Sequence, residues 1–208
     1  MRLACLAVLA AVMPAQAAVI GGFDDLRLSL TYPGGKAKTT VESGGSSATT
    51  TDAWDSANRI NLDYVGGWSI PLIGVVVGAG VTADLRKNDT STGSLEYQAY
   101  SGHVRAGPYW SLLETLNIEL TGQVGYGLAT IRSKAAGKET SDSGGYVEYG
   151  GDLTIDVAIP VVGLVVGVAG GYIYGGSKHD LDSGTGTSTA VKVINGNWTV
   201  TGLLGYRF

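Results

Sequence analysis

The stretch 194-INGNWTVTGLLGYRF-208 decides how this chain is read. Ile194, Gly196, Trp198, Val200, Gly202, Leu204, Tyr206 and Phe208 share one parity; Asn195, Asn197, Thr199, Thr201, Leu203, Gly205 and Arg207 share the other. One set is apolar and aromatic, the other polar or small. Successive side chains of a β-strand point to opposite faces, so a period of two sustained this long predicts a strand with two unlike faces. Phe208 leaves a large apolar side chain at the last position.

Working outward, the same alternation returns over Leu26 to Tyr32, Ile60 to Ile70, Val75 to Leu85, Tyr100 to Ala106, Leu116 to Tyr126, Val147 to Val157 and Leu164 to Tyr174. With the final stretch this predicts an all-β fold of eight strands. The fourth is the least regular: its apolar parity slips between Tyr97 and Tyr100, which suggests a β-bulge. Short turns are expected at Pro71-Leu72, around Ser111 to Glu114 and at Pro160 to Gly163. Longer polar loops are expected over Pro33 to Ser56, Lys87 to Ser94, Lys134 to Gly144 and Ser177 to Ala190. The first of these reads as a mobile, polar loop in which Trp54 is the one large apolar residue. Strands joined alternately by short turns and long loops describe an antiparallel up-and-down barrel.

Composition agrees. The chain has 33 glycines and 11 tyrosines among 208 residues, and only 15% are charged; soluble domains carry about 25%. The net charge of -4 excludes a basic nucleic-acid-binding face. Residues 1–17, MRLACLAVLAAVMPAQA, combine Arg2, an apolar run and a small-residue cleavage site, the pattern of a secretory signal peptide; residues 18–208 form the barrel. Cys5, the single cysteine, lies in that leader. The exported chain therefore has no disulfide and no cysteine-based metal site.

Three features place the apolar face outward, in a membrane. The polar parity carries Gly, Thr, Asn and scattered charges, while Lys is almost confined to the loops; a water-facing wall would be richer in Lys and Glu. Aromatic residues fall at two levels. Trp68, Tyr109, Trp110, Tyr206 and Phe208 lie toward the short-turn end, and Tyr32, Tyr97, Tyr100, Tyr126, Tyr149, Tyr172 and Tyr174 toward the other, as expected for two interfacial girdles. Charged residues also meet on the polar face. Centring the first short turn puts Arg59 opposite Asp84; centring the second near Leu112 puts Arg105 opposite Glu119; closing the barrel brings Arg207 to Asp25. These six residues are the expected interior charge network.

This pattern resembles the small eight-stranded outer-membrane β-barrel proteins of Gram-negative bacteria, the OmpA/OmpX/opacity-protein type, over residues 22–208. The resemblance implies a bacterial outer-membrane location, a monomer, and contact with outer-membrane lipid and lipopolysaccharide. It also implies that the barrel-assembly machinery and periplasmic chaperones handle the chain. Phe208, Tyr206 and Leu204 resemble the family's assembly signal.

No cofactor motif is present. The mature chain has only His103 and His179, and neither lies in a motif resembling that of the outer-membrane deacylases, so no catalytic role is expected. Glu148, Asp152 and Asp156 share one strand face, but their spacing of about 13 Å per four residues is too wide for one Ca²⁺. The expected role is structural or cell-surface interaction through four extracellular loops. One alternative is a narrow small-solute channel, because Gly125, Gly127, Gly167, Ala169 and Gly171 leave room near Asp152. A lipid A-modifying enzyme stands further behind.

Overall fold

A computed structural model describes residues 22–34, 36–43, 46–70, 73–90, 93–112, 115–135, 138–182 and 188–208. The signal-peptide assignment lies outside the described residues. The described residues form ten strands: β1 (Phe23–Pro33), β2 (Lys36–Ser43), β3 (Ser46–Ala53), β4 (Ser56–Ile70), β5 (Ile73–Thr90), β6 (Gly93–Leu112), β7 (Leu116–Ala135), β8 (Lys138–Ile159), β9 (Leu164–Asp182) and β10 (Ser188–Arg207). Eight of them close a ring: β1 pairs with β4, β4 to β10 follow in order, and β10 returns to β1. Every pairing is antiparallel, so the ring has no free edge over its closed part.

The faces are inverted relative to a water-soluble barrel. On β1, Leu26, Leu28, Leu30 and Tyr32 are 39–68% exposed, while Asp25 and Arg27, of the opposite parity, are fully buried. Apolar side chains out and ionic side chains in is a stable arrangement only where hydrocarbon surrounds the wall. The outward column of β7 shows the height of that band. Leu116, Ile118, Leu120, Gly122, Val124, Tyr126 and Leu128 are followed by Thr130, Arg132 and Lys134. The apolar part spans about 40 Å along the strand, hence about 30 Å at the ~40° tilt of such barrels, which is the thickness of a bilayer core.

Above that level the polarity of the wall reverses. Tyr97, Ala99, Ala129, Ile131, Tyr146, Val191 and Val193 now point inward and are buried, packed with Trp54 and Leu95. Their outward neighbours are Gln98, Glu96, Thr130, Arg132 and Lys192. This accounts for the parity slip on β6, and no bulge is involved. Tyr97 pairs with Arg86 and Ile131, Tyr100 with Ala83 and Leu128, all in unbroken register. The backbone alternation continues unchanged; the solvent outside it changes from lipid to water.

The strands run longer than expected. β8 has 22 residues, where about 9–11 suffice to cross a membrane. Thr90 pairs with Gly93, and Ala135 with Lys138, so two of the expected long loops are tight hairpins at the tips of extended strands. The first loop is also ordered. β2 and β3 pair along their full lengths, and β2 lies against Ala190–Asn195 of β10. Lys36–Ser43 and Ser46–Ala53 thus extend the wall as a hairpin, contrary to the mobile loop read from composition. At the opposite end, Gly163 takes φ +66, and a Cβ there would stand 2.7 Å from the Arg207 carbonyl, so this turn requires glycine.

Candidate functional site: the packed lumen and the extended rim

The polar parity of all eight ring strands converges on the lumen. The structure places Asp25, Arg27, Arg59, Asp63, Asp84, Arg86, His103, Arg105, Glu119, Glu148 and Asp156 there, each less than 9% exposed, with Asp152 and Arg207 at its margins. These charges are organised by two arginine clamps. Arg27 Nη1 and Nη2 donate to Glu119 Oε2 and Oε1 at 2.9 and 2.7 Å. Arg59 Nη1 and Nη2 donate to Glu148 Oε2 and Oε1 at 2.7 and 2.9 Å. In ring order β7 is the fourth strand from β1, and β8 the fourth from β4. Each clamp therefore spans the barrel diameter. Bidentate arginine–carboxylate pairs are both strong and directional, so the two clamps hold opposite walls together and fill the space between them.

The remaining lumen charges attach to these clamps. Arg27 also donates to Asp25 at 2.8 Å, and Arg207 to the same carboxylate at 2.7 Å. Arg105 pairs with Asp152 at 2.9 Å, and Arg86 with Asp84 at 2.7 Å. His103 Nε2 lies 2.6 Å from Asp63 Oδ1, and its Nδ1 3.1 Å from Thr82 Oγ1. Ser101, on the same strand face, makes no hydrogen bond through its hydroxyl, so it is not coupled to His103.

Of the six residues expected to form the interior network, all point inward, but their partners differ. Asp25 and Arg207 are cross-strand neighbours and an ion pair. Arg59 and Asp84 are cross-strand neighbours too, yet their closest approach is 3.9 Å, because Arg59 reaches across to Glu148. The expected Arg105–Glu119 pair is not formed. The β6–β7 turn centres two residues later than expected, so Arg105 lies opposite Gln123, and Glu119 opposite Tyr109. Glu148, Asp152 and Asp156 take separate partners, Arg59, Arg105 and Arg27. Among the described residues no group of acidic or histidine side chains is arranged to hold a metal ion.

Apolar clusters lie above and below this polar layer. Toward the short turns, Val65, Val76 and Tyr109 pack with Phe23, and the Phe23 and Tyr109 rings meet edge-on at 5.2 Å. The Arg207 guanidinium covers Phe23 at 4.3 Å. At the extended end, Trp54 packs on Tyr97 at 6.1 Å and donates from its indole to Asn195 Oδ1 at 3.4 Å. Tyr97 and Tyr109 are thus lumen residues, not members of the aromatic girdles assigned from sequence. The exposed outward rings are Tyr32, Trp68, Tyr100, Tyr126, Tyr149, Tyr172, Trp198, Tyr206 and Phe208.

The room expected beside Asp152 is also taken up. A Cβ on Gly125 would stand 2.8 Å from Glu148 Cγ, one on Gly167 2.7 Å from Asp156 Cβ, and one on Gly171 2.8 Å from Asp152 Cβ. At Gly127 it would strike the Tyr100 carbonyl. These glycines let neighbouring strands and side chains approach closely. A recess lined by Arg59, Arg86, Tyr146, Asn195 and Asn197 is too narrow for a water molecule.

Leu204, Tyr206 and Phe208 face outward, 52–72% exposed, with the Tyr206 and Phe208 rings 5.2 Å apart. The Phe208 N–H donates to the Asp24 carbonyl at 3.0 Å, fixing the end of β10 to β1.

Several solved structures are similar to this one. Ail, the attachment invasion locus protein of Yersinia pestis, is 19% identical, with 89% of this chain and 99% of that chain covered and a TM-score of 0.41. OprG from Pseudomonas aeruginosa is 14% identical, with 90% and 96% covered and a TM-score of 0.49. Neisserial surface protein A is 13% identical, with 90% and 97% covered and a TM-score of 0.40. No protein-family model matches the sequence, and no curated protein does. The class of the chain is carried by its own closed strand ring, its apolar band of bilayer height and its ionic lumen. On those grounds the chain is an eight-stranded antiparallel β-barrel whose outer wall is built to face a bilayer.

Proposed function

We propose that this protein is a closed barrel whose work is done at the cell surface, by the part of the wall that rises beyond the membrane. One observation carries the reading: two arginine–glutamate clamps cross the full diameter of the lumen, between apolar clusters at either end. A lumen packed in this way favours a structural or surface-interaction role over solute passage. The β2–β3 hairpin and the upper parts of β5 to β10 then supply the contact surface outside the cell. Phe208, Tyr206 and Leu204 serve as the signal read by the barrel-assembly machinery and its chaperones, and the outward band sits in outer-membrane lipid and lipopolysaccharide.

The test has two arms. Refolded protein in planar bilayers should give no discrete conductance steps. Cells displaying a variant with Lys36–Ala53 replaced by a two-residue turn should lose attachment to surfaces that the parent binds. Stable conductance steps would refute the closed barrel. Undiminished attachment would refute the hairpin as the contact surface.

A further inference from the structure

Outside the apolar band, the outward face of the barrel carries cations on several strands, and they fall into two groups. On β5 and β7 each is neutralised by a neighbour: Lys87 by Asp89 at 2.8 Å, Arg132 by Glu139 at 3.1 Å, and Lys134 by Glu139 at 3.8 Å. On β9, β10 and β2 they are not. Lys178, Lys192 and Lys38 are exposed, and none forms an ion pair with any described residue.

Their placement makes this costly. Lys178 and Lys192 are direct cross-strand partners on the outward face, where like charges opposite one another destabilise a sheet. Lys192 is opposite Thr40, and Lys38 is opposite Ile194, so Lys38 is the diagonal neighbour of Lys192. Three ammonium groups thus share one patch, with no anion among the described residues between them. The nearest carboxylates on these strands in the outward parity, Asp180 and Glu42, stand one outward row further from the apolar band.

Directly on the membrane side of the patch is the aromatic girdle. The outward row next to Lys178 and Lys192 is Gly176 and Ile194; then come Tyr174 and Gly196, then Tyr172 and Trp198. Tyr172 and Trp198 meet edge-on at 5.5 Å, and Tyr174 stacks on Tyr149 at 5.0 Å. Interfacial rings mark the boundary of the hydrocarbon. Lys178 is four residues beyond Tyr174, about 13 Å along the strand and about 10 Å in height at the usual tilt. That is the level of lipid headgroups, and a lysine stem can lower its ammonium further toward them.

We propose that Lys178, Lys192 and Lys38 form a docking site for a phosphorylated glycolipid of the outer leaflet. The lipid phosphates lie between the ammonium groups, and the sugar and acyl chains lie over Gly176 and the Tyr172, Tyr174 and Trp198 rings. The anion removes the repulsion that the register builds in, so the same lysines that cost stability in its absence add stability in its presence. The proposal rests on the extended end facing outside the cell; it is independent of whether the lumen conducts.

The experiment uses the full chain refolded in zwitterionic lipid vesicles. Lipid A carrying both phosphates is titrated in, and binding and the urea unfolding midpoint are read. The comparisons are lipid A stripped of its phosphates and inorganic phosphate alone. In the absence of lipid A, the Lys178→Gln/Lys192→Gln variant should be at least as stable as the parent. With lipid A the parent should gain stability, and the variant should bind about twenty-five-fold more weakly, at roughly fivefold per lysine near a membrane surface. Lys87→Gln, at a paired cation on β5, should bind as the parent does. Equal binding by parent and double variant would overturn the proposal. So would equal binding of the dephosphorylated lipid, or the same gain from inorganic phosphate alone.

Discussion

Removing Glu148 tests the lumen clamps most severely. Its carboxylate is fully buried and accepts two hydrogen bonds from Arg59, whose side chain is 2% exposed, and a third from the Tyr146 hydroxyl at 3.0 Å. Glu148→Leu strands a buried guanidinium. Breaking a buried pair from one side costs about 3–5 kcal/mol. Arg59 would keep Asp84 at 3.9 Å and its bond to Thr82 at 3.3 Å, which favours the lower part of that range. The orphaned tyrosine hydroxyl adds about 1 kcal/mol. The expected loss is therefore about 4 kcal/mol. Replacing both partners, Arg59→Met with Glu148→Leu, should recover most of it, because two apolar side chains of similar volume leave no charge unpaired. The assay is urea unfolding of protein refolded in vesicles, followed by tryptophan fluorescence, with a full double-mutant cycle. A Glu148→Leu loss below about 1 kcal/mol, or single and double costs that simply add, would refute the clamp as described.

Other expectations follow from the same geometry. A double-mutant cycle should give coupling of about 1 kcal/mol or more for Arg105 with Asp152, which pair at 2.9 Å, and none for Arg105 with Glu119; the reverse would overturn the β6–β7 register. His179 lies outside the membrane band, its ring edge against Tyr97 and its Nε2 2.8 Å from Ser177 Oγ. Burial holds its pKa below the ordinary value of about 6.5, against the opposing pull of Asp142 and Asp180. The unfolded ring therefore takes up a proton before the folded one, so the contribution is complete above about pH 7 and is lost as pH falls below about 6.5. The urea midpoint of the parent should fall more steeply between pH 7 and 5 than that of His179→Phe, and equal slopes would show that the ring is not held neutral. Deleting Phe208 should reduce insertion at native expression more than it lowers the unfolding midpoint of the barrel that does form; normal insertion would remove its assembly role.

The ring strands were legible because lipid and a packed ionic lumen impose opposite demands on alternate residues. Leu26 to Tyr32 and Leu116 to Leu128 show that contrast without interruption. The hairpin was not legible: KAKTTVES and SSATTTDA are polar on both faces, so a strand there leaves no periodic mark. On β6 the signal was present but misleading. Tyr97 and Tyr100 are apolar on opposite faces because water replaces lipid between them, and a change of solvent looks in sequence like a change of register. The lumen residues were identifiable by parity, but their partners were not. Hairpin register relates neighbouring strands, whereas Arg27–Glu119 and Arg59–Glu148 join strands four apart in the ring. Trp54 left only the trace of one large apolar residue in a polar stretch, and its seat over Tyr97 depends on the hairpin that sequence did not reveal.

The central claim is that one continuous strand faces lipid and then water with the same residues' parity. A single-cysteine scan of β7 from 116 to 134 tests it directly, because the sequence's one cysteine, Cys5, lies well before β1 and can be replaced. Each position carries a spin label in vesicles, and collisions with oxygen and with a water-soluble nickel complex are compared. Even positions from 118 to 128 should be oxygen-accessible and closed to nickel, positions 130, 132 and 134 should be open to nickel, and odd positions from 117 to 131 should be closed to both. Nickel access at 120 or 124, or accessibility without alternation, would contradict the inverted barrel.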